Sequence, residues 1–334
     1  MTTPGCPMSH ATEEILAICR RTFQRPGPDG SLPRQFHRKT YACLRGRFEV
    51  EPADDRWLRQ GLFANPGRYD AIVRFSSSFF DDDRLADARG IAIKLRGVEG
   101  AVCDGAPEGQ QDFVLMSAPS GPARDAEEAV HLFAALDGDA RVTPLSLAAP
   151  GYVFPSLDPR RIRWRYLAFA LAGAGRHLLG RDLAQLAYYS VTPYRLGQGA
   201  AKYIVRPEAA AFERRARGRG FGARLQAALD KGPIRFDFLL QPRVLDDDPI
   251  DDARRAWRSP AIRVGRIEIP PQDVAASVAL GDALTFSPWN CLEAHAPLGS
   301  INEVRRHAYR ASADARGAEA AFPADGEPRA PSTR

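Results

Sequence analysis

The sequence predicts an α+β fold, with an antiparallel β core, an inserted helical section and a helix at the C-terminal end. Short β-rich segments bounded by Gly, Pro, Asp or Ser follow one another before residue 117 and again after residue 199. Such a series is typical of an antiparallel sheet or barrel. Two helical patterns separate the two groups. Residues 305–316 lack Pro and Gly and are rich in Ala and Arg, which favours a helix.

The first predicted element is a helix over residues 11–23, which a Pro- and Gly-rich segment at 25–33 ends. Strands are predicted at residues 41–50, 69–76, 90–95, 112–116, 200–205, 234–240 and 261–269. Further helices are predicted at residues 124–136, 161–189 and 305–316. We expect a flexible tail at 1–12, a single domain at 13–316 and a disordered, Ala/Pro/Gly-rich tail at 317–334.

The composition is ordinary for a globular protein, with 44% hydrophobic and 26% charged residues among 334. The formal net charge of +5 is mildly basic, but the basic residues are scattered. Acidic clusters at residues 81–83 and 246–248 interrupt them. A nucleic-acid surface requires a basic stripe, so we expect no nucleic-acid partner.

Cysteine usage and the N-terminus indicate a cytoplasmic protein. The five cysteines are Cys6, Cys19, Cys43, Cys103 and Cys291. They are dispersed, odd in number and form no Cys-x-x-Cys pair, which indicates reduced thiols. Residues 1–10 lack the basic start and apolar run of a secretory signal.

A segment at residues 160–181 has arginines and Trp164 near its start and an apolar middle. This pattern fits an amphipathic helix on a membrane surface. It fits a helix packed on the core as well, and we expect the latter. The longest apolar stretch, 167–174, is too short to cross a bilayer.

The C-terminal predicted helix places Arg305, Tyr309, Ser312 and Arg316 on one face, because they are four, three and four residues apart. A tyrosine between arginines lies in a positive setting that favours phenolate over phenol. A phenolate is a good ligand for ferric iron. The alternative interpretation is a surface helix with a packed tyrosine.

Six stretches stand in an order that resembles one family. They are residues 34–39 (Arg-Gln-Phe-His-Arg-Lys), 73–76 (Val-Arg-Phe-Ser), 87–95, 112–125, Trp257 with 264–265, and 286–290 followed by 305–316. Together they resemble the haem catalase superfamily, from about residue 34 to residue 316. Residues 60–63, 193–197 and 297–299 look closest to its short, catalase-related branch. The implied fold is a catalase-like barrel whose C-terminal helix carries the proximal haem ligand.

The resemblance implies a haem cofactor, of the b type. The implied cofactor-binding residues are Arg34, Arg74, Arg305, Tyr309, Ser312 and Arg316. Tyr309 would be the fifth ligand of the iron, and Arg305 would hydrogen-bond its oxygen and keep it ionised. Arg34, Arg74 and Arg316 match positions that pair with the haem propionates, which need cationic partners when buried.

The resemblance places His37 over the open face of the haem as general acid and base, with Ser76 holding its imidazole. Catalases have an asparagine on this side, and the matching position here falls at Met116 or at Ser117. Ser117 can still donate a hydrogen bond, so we include it among the catalytic residues. Small residues at 120–123 replace a bulky, Phe-bearing run, which predicts a wider cavity.

We therefore expect a haem peroxidase or peroxygenase of the catalase-related type that cleaves organic or fatty-acid hydroperoxides. One alternative is a small catalase that dismutates hydrogen peroxide, and another is a haem-binding protein without enzymatic activity. The expected partner is a small-molecule peroxide. The short N-terminal arm favours a monomer or dimer over an arm-exchanged tetramer.

Overall fold

Nine β-strands form one antiparallel sheet in the computed structural model, which describes residues 8–27, 30–137, 150–156, 158–209 and 219–323. The strands are β1 (Thr40–Val50), β2 (Gly67–Ser77), β3 (Arg89–Arg96), β4 (Gln110–Met116), β5 (Tyr188–Tyr189), β6 (Tyr194–Leu196), β7 (Gly199–Pro207), β8 (Ile234–Pro242) and β9 (Ile262–Ile269). Strand β1 pairs with both β2 and β9, and β5 joins β4 to β7. Eight strands thereby close into a barrel, and β6 extends it beside β7.

The barrel interior is packed with aromatic and branched side chains. Alternate residues of each strand point inward, and Phe48, Phe113 and Phe238 meet there with ring centroids 4.8–6.0 Å apart. Tyr203 and Phe75 are buried in the same core. The interior is therefore filled, so a ligand site has to lie outside the barrel wall.

The α-helices of the described residues pack around the barrel. They are α1 (His10–Thr22), α2 (Ala126–Leu136), α3 (Pro150–Val153), α4 (Trp164–Leu178), α5 (Phe221–Leu229), α6 (Val278–Ala283) and α7 (Ser300–Arg316). Local chemistry explains their ends. The Asp125 side chain accepts from the Glu128 N–H at the start of α2, and Gly317 ends α7 with φ of 61°. Helices α1, α2 and α7 share an apolar cluster that includes Ile15, Val130 and Val304.

A buried ion pair ties the segment before α7 to the barrel. Lys94 on β3 donates to Asp112 on β4 at 2.8 Å, and both side chains are fully buried. Asp112 also accepts from the Ser287 N–H at 3.0 Å and from Asn290 Nδ2 at 3.1 Å. Burial raises the pKa of Asp112, and three donor groups, which make four hydrogen bonds to its carboxylate, oppose that effect.

The seven predicted strands are present, each within two residues of its expected ends. The predicted helix at 161–189 was too long. It ends at Leu178, Gly180 adopts a left-handed φ of 62°, and residues 188–189 form β5. Burial of Tyr188 in the core and its pairing with β7 override the local helical preference. Strand β6 and helices α3, α5 and α6 were not predicted.

Both terminal segments are more ordered than expected where they are described. Helix α1 begins at His10 and buries Ala11 and Thr12, so the flexible tail predicted at 1–12 does not extend that far. Residues 317–323 lie along the protein, because the Glu319 N–H donates to Ala283 O at 3.0 Å and Arg96 lies over the Phe322 ring. Residues 324–334 of the predicted disordered tail lie outside the described residues.

Candidate active site

The outward face of strands β1 to β4 forms the floor of the site. Directly paired residues of antiparallel strands present their side chains on the same face. One row runs from Ser76 through Gly90 to Met116, and the strand registers place them opposite one another. A second row contains Arg74 and Val114. The residues between these rows point inward, so polar and small side chains are grouped on the outside.

Helix α7 brings Tyr309 against this floor, where it packs on an apolar cluster that includes Val114. Arg305, one turn earlier, lies with Nη2 3.5 Å from the Tyr309 oxygen. Thr192 Oγ1 and Asn302 Oδ1 accept from Arg305 Nη1 at 3.1 and 3.0 Å. Burial opposes the charge of Arg305, but the neighbouring Tyr309 and Tyr194 oxygens outweigh it and raise its pKa. Arg305 is therefore a fixed cationic donor beside the Tyr309 oxygen.

His37 lies across the cavity floor from α7, held by both its backbone and its ring. Its N–H donates to Ser78 O at 2.9 Å, and its Nδ1 lies 3.1 Å from Ser76 Oγ. The residue has a left-handed φ of 53°. Gly90 is required beneath it, because a Cβ there would clash with the imidazole. Nε2 is left without a hydrogen-bond partner among the described residues.

The His37 imidazole is neutral at ordinary pH. Its pKa is lowered to about 3, first because burial disfavours the charged ring and then because Arg74, Arg305 and Arg34 repel a positive charge. The side chain is partly exposed only because it borders the cavity. A neutral imidazole can accept a proton, so the ring has the protonation state that a general base requires.

Three arginines form a cation cluster, defined as Arg34, Arg74 and Arg316, beside the His37 backbone. Arg74 donates to His37 O at 2.8 Å and to Thr40 Oγ1 at 2.7 Å. Arg34 donates to Gly281 O at 2.7 Å, and its buried Nε has no partner. Burial lowers the pKa of all three arginines. The positive charge of Arg74 lowers the pKa of Arg34 and of Arg316 further.

The cation cluster is under-compensated in the described structure. Asp282 is the carboxylate that favours the charged form of all three arginines. Three positive groups facing one carboxylate leave a net positive charge in a largely buried place. Such a charge is stabilised by binding an anionic group.

A cavity of about 490 Å³ lies between His37 and α7 and reaches helix α4. His37, Met116, Ser117, Arg305 and Tyr309 border it. Aromatic residues of its wall are Phe36, Phe79, Phe133, Tyr166 and Phe169, and small ones are Gly121, Pro122 and Ala123. Three of the four small residues at 120–123 thus border the cavity, while other segments supply an aromatic wall. Its size is within the range of ligand sites.

Comparison with solved structures decides the fold. A fungal catalase is similar, with 17% sequence identity and a TM-score of 0.61 over 86% of this chain and 59% of that one. A bacterial catalase has 15% identity and a TM-score of 0.60 over 90% of this chain and 65% of its own. Catalase A from Saccharomyces cerevisiae has 18% identity and a TM-score of 0.56 over 86% of this chain and 61% of its own. The fold is that of the catalases. The chain spans 59–65% of the length of these catalases. No family model and no curated protein matches the chain.

The catalase-like fold raises the question of whether the residues present fit a haem. Catalase iron is held by a tyrosine, and Tyr309 presents its oxygen to the cavity beside Arg305. The cation cluster has an orphaned Arg34 Nε and excess positive charge, which suit two carboxylates. The donor set is therefore compatible with a haem.

Strand pairing separates the two candidates for the position where catalases have asparagine. Met116 stands in the row of Ser76 and Gly90, on the face that carries His37. Ser117 follows the end of β4, and its hydroxyl accepts from the Arg89 N–H at 2.9 Å. No asparagine or glutamine borders the cavity within the described part of the chain.

The remaining predicted residue, Ser312, faces a different part of the catalase-like domain. Its Oγ accepts from the Gln35 N–H at 3.3 Å, and Gln24 Nε2 donates to its carbonyl oxygen at 3.2 Å. It therefore holds the segment that carries His37 against α7. Ser76, Arg34, Arg74 and Arg316 support the cavity without bordering it.

Three residues that position Arg305 were missed at the level of sequence: Thr192, Tyr194 and Asn302. Asn302 had a signal, because it precedes Arg305 by three residues on the same helix. Thr192 and Tyr194 are more than one hundred residues away in sequence; Tyr194 lies in the stretch 193–197 that shows the family resemblance, whereas Thr192 lies outside it. Asn302 also accepts from Thr192 Oγ1 at 3.0 Å, which links the two supports.

Proposed function

We propose that the protein binds haem through Tyr309 and cleaves the O–O bond of organic hydroperoxides, including those of fatty acids. The observation that carries the proposal is one cavity bordered by the Arg305–Tyr309 pair and by a neutral His37. Bound haem would supply the redox chemistry of peroxide reduction. Tyr309 would hold the iron, the arginines would compensate the negative charges, and His37 would transfer the proton.

His37 moves the proton in this proposal. Its Nδ1 is engaged with Ser76 Oγ, which orients the ring and leaves Nε2 for the substrate. Nε2 takes the proton from the inner peroxide oxygen and returns it to the outer, leaving oxygen. The depressed pKa keeps the imidazole free to accept that proton across the ordinary pH range.

Arg305 and the cation cluster hold the negative charges of the cofactor site. Arg305 stabilises negative charge on the Tyr309 oxygen, because its guanidinium is 3.5 Å away and retains its charge in the buried site. Arg34, Arg74 and Arg316 would pair with the two propionates, which compensates for the charge excess around Asp282.

The cavity supports a substrate larger than hydrogen peroxide. It continues from His37 to the inner side of α4, along Phe133 and Phe169, and that lining is largely apolar. Arg176, also on α4, borders it and forms no ion pair with a described carboxylate. A hydroperoxide with an apolar chain and a carboxylate matches this distribution of groups.

A turnover comparison on purified, haem-loaded protein tests the proposal. We expect fast consumption of a fatty-acid hydroperoxide with an electron donor present, and slow oxygen release from hydrogen peroxide. Strong oxygen release with little lipid hydroperoxide consumption would instead identify a small catalase. If neither substrate is consumed while the haem absorbance persists, the protein is a haem-binding protein and the proposed activity is overturned.

Met116→Asn should increase oxygen release from hydrogen peroxide by about tenfold, the factor of one added hydrogen bond. Met116 stands in the row of Ser76 and Gly90, on the face that carries His37, and its side chain cannot donate a hydrogen bond. An amide at this position can donate one and so orient a second peroxide molecule. Ser117→Asn is the matched control, because Ser117 lies outside that row. An increase with Ser117→Asn and none with Met116→Asn would reverse the assignment of the position.

A further inference from the structure

Helix α4 has two apolar faces, and only one of them is covered by the described protein. Tyr166 is its single buried residue, and Phe169 and Gly173 on the same side border the cavity. On the opposite side Trp164, Leu171 and Leu178 are 56%, 64% and 84% exposed. The last three are seven residues apart, close to two helical turns, so they form a line along the helix. The expectation of a helix packed on the core is met on the Tyr166 side, where Tyr166 lies in a buried cluster with Leu132 and Tyr152, and not on the opposite side.

The exposed line belongs to a larger apolar surface. We define the α4 surface as Phe154, Trp164, Leu171, Leu178 and Leu179, all of which are exposed. Single exposed apolar residues are normal on proteins. A group of five on one helix and its flanks indicates a surface that binds something apolar.

Arginines predominate along α4, and the carboxylates that flank it in sequence are Asp158 and Asp182. Residues 159–181 contain six arginines, at positions 160, 161, 163, 165, 176 and 181, and no Asp or Glu. Arg160, Arg161 and Arg165 are exposed and form no ion pair within the described part of the chain. A second copy of this surface would bring like charges together, which disfavours a symmetric dimer here.

We propose that the α4 surface docks on a bilayer that contains anionic phospholipid. The exposed arginines at the start of the helix, Arg160, Arg161 and Arg165, would bind phosphate headgroups. Trp164, Leu171 and Leu178 would enter the boundary between headgroups and acyl chains. The helix lies in the plane of the interface. None of the helices in the described residues is long and apolar enough to cross a membrane.

Docking would place the cavity next to the membrane, because the inner side of the same helix borders it. Oxidised acyl chains are the apolar hydroperoxides of a bilayer. Their delivery to His37 rests on the function proposed above, whereas the docking itself does not.

Co-sedimentation with vesicles tests the docking without any turnover assay. We expect the full chain to bind vesicles of phosphatidylcholine mixed with phosphatidylglycerol and to bind phosphatidylcholine alone far more weakly. L171E/L178E should weaken binding at least about tenfold, because two leucines leave the acyl boundary. V244E/L245E is the matched control, since Val244 and Leu245 are exposed apolar residues outside the α4 surface. That control should bind as the unchanged protein does.

A separate variant tests how much the exposed arginines contribute to vesicle binding. R160A/R161A/R165A should weaken binding to the mixed vesicles by roughly a hundredfold at low salt, with loss of most of the salt dependence. Circular dichroism and the thermal midpoint should be unchanged in each variant, because every altered side chain is exposed.

Two results would overturn the docking. One is equal sedimentation of L171E/L178E and V244E/L245E with the mixed vesicles, or no sedimentation of the unchanged protein. The other is a dimer by analytical ultracentrifugation that L171E/L178E dissociates, which would show that a second copy covers the surface. Either result leaves the peroxide assay of the proposed function unaffected, so the two failures are distinguishable.

Discussion

His37→Asn is expected to lower hydroperoxide turnover by about 10²–10⁴-fold, the usual contribution of a general acid–base group. Asparagine is the suitable replacement because it tolerates the left-handed φ of 53° and can still hydrogen-bond to Ser76. Haem binding should persist, since the cation cluster and Tyr309 are unchanged. Turnover is measured beside the haem absorption spectrum, and His131→Asn, at an exposed position of α2, is the control.

Acid stability provides a second readout of the same variant. The folded pKa of His37 is about 3, whereas the unfolded ring titrates near its ordinary value of about 6.5. The unfolded chain therefore binds more protons between these values, and His37 costs stability as the pH falls from about 6.5 to about 3. His37→Asn removes this cost, so its acid-unfolding midpoint should move to lower pH. Unchanged turnover in the variant would refute His37 as the proton-transfer group.

Tyr309→Phe is expected to have the next largest effect, because it deletes the oxygen that we propose as iron ligand. We expect a changed haem spectrum, haem affinity reduced by at least about tenfold and peroxide turnover reduced by at least about a hundredfold. The ring remains to pack on the floor of the site, so the fold should be retained. Equilibrium titration with haem and visible absorption spectroscopy measure the first two effects.

Tyr69→Phe is the matched control for the ligand assignment. Tyr69 lies on β2, is partly buried and does not border the cavity, so its phenol oxygen has no part in the proposed site. We expect its haem spectrum and turnover to equal those of the unchanged protein. A Tyr309→Phe spectrum identical to that of Tyr69→Phe would mean that another residue holds the iron.

Much of the fold was predictable because its signals are local. Short β-rich segments between turn residues identified seven strands, and the spacing of Arg305 and Tyr309 placed them on one face of a helix that the structure confirms. The helix begins at Ser300, five residues earlier than expected, and its first turns bury Asn302 and Val304.

The parts that were not predictable depend on contacts between distant segments. Strand β5 is two residues long, and it exists because Tyr188 fills the core and pairs with β7. The support of Arg305 by Thr192 likewise joins segments with no shared local pattern. The assignment between Met116 and Ser117 needed strand register, which a single sequence does not contain.

The buried pair of Lys94 and Asp112 has a consequence for the order in which the protein is made. Its charges are fully compensated only when the segment with Ser287 and Asn290 has joined the barrel, and that segment leads into α7. During synthesis the chain emerges from its N-terminal end. His37 and the barrel strands are therefore complete long before Tyr309 leaves the ribosome. Under the proposed function the helix with the iron ligand is the last part of the site to be made, so cofactor loading follows the emergence of α7.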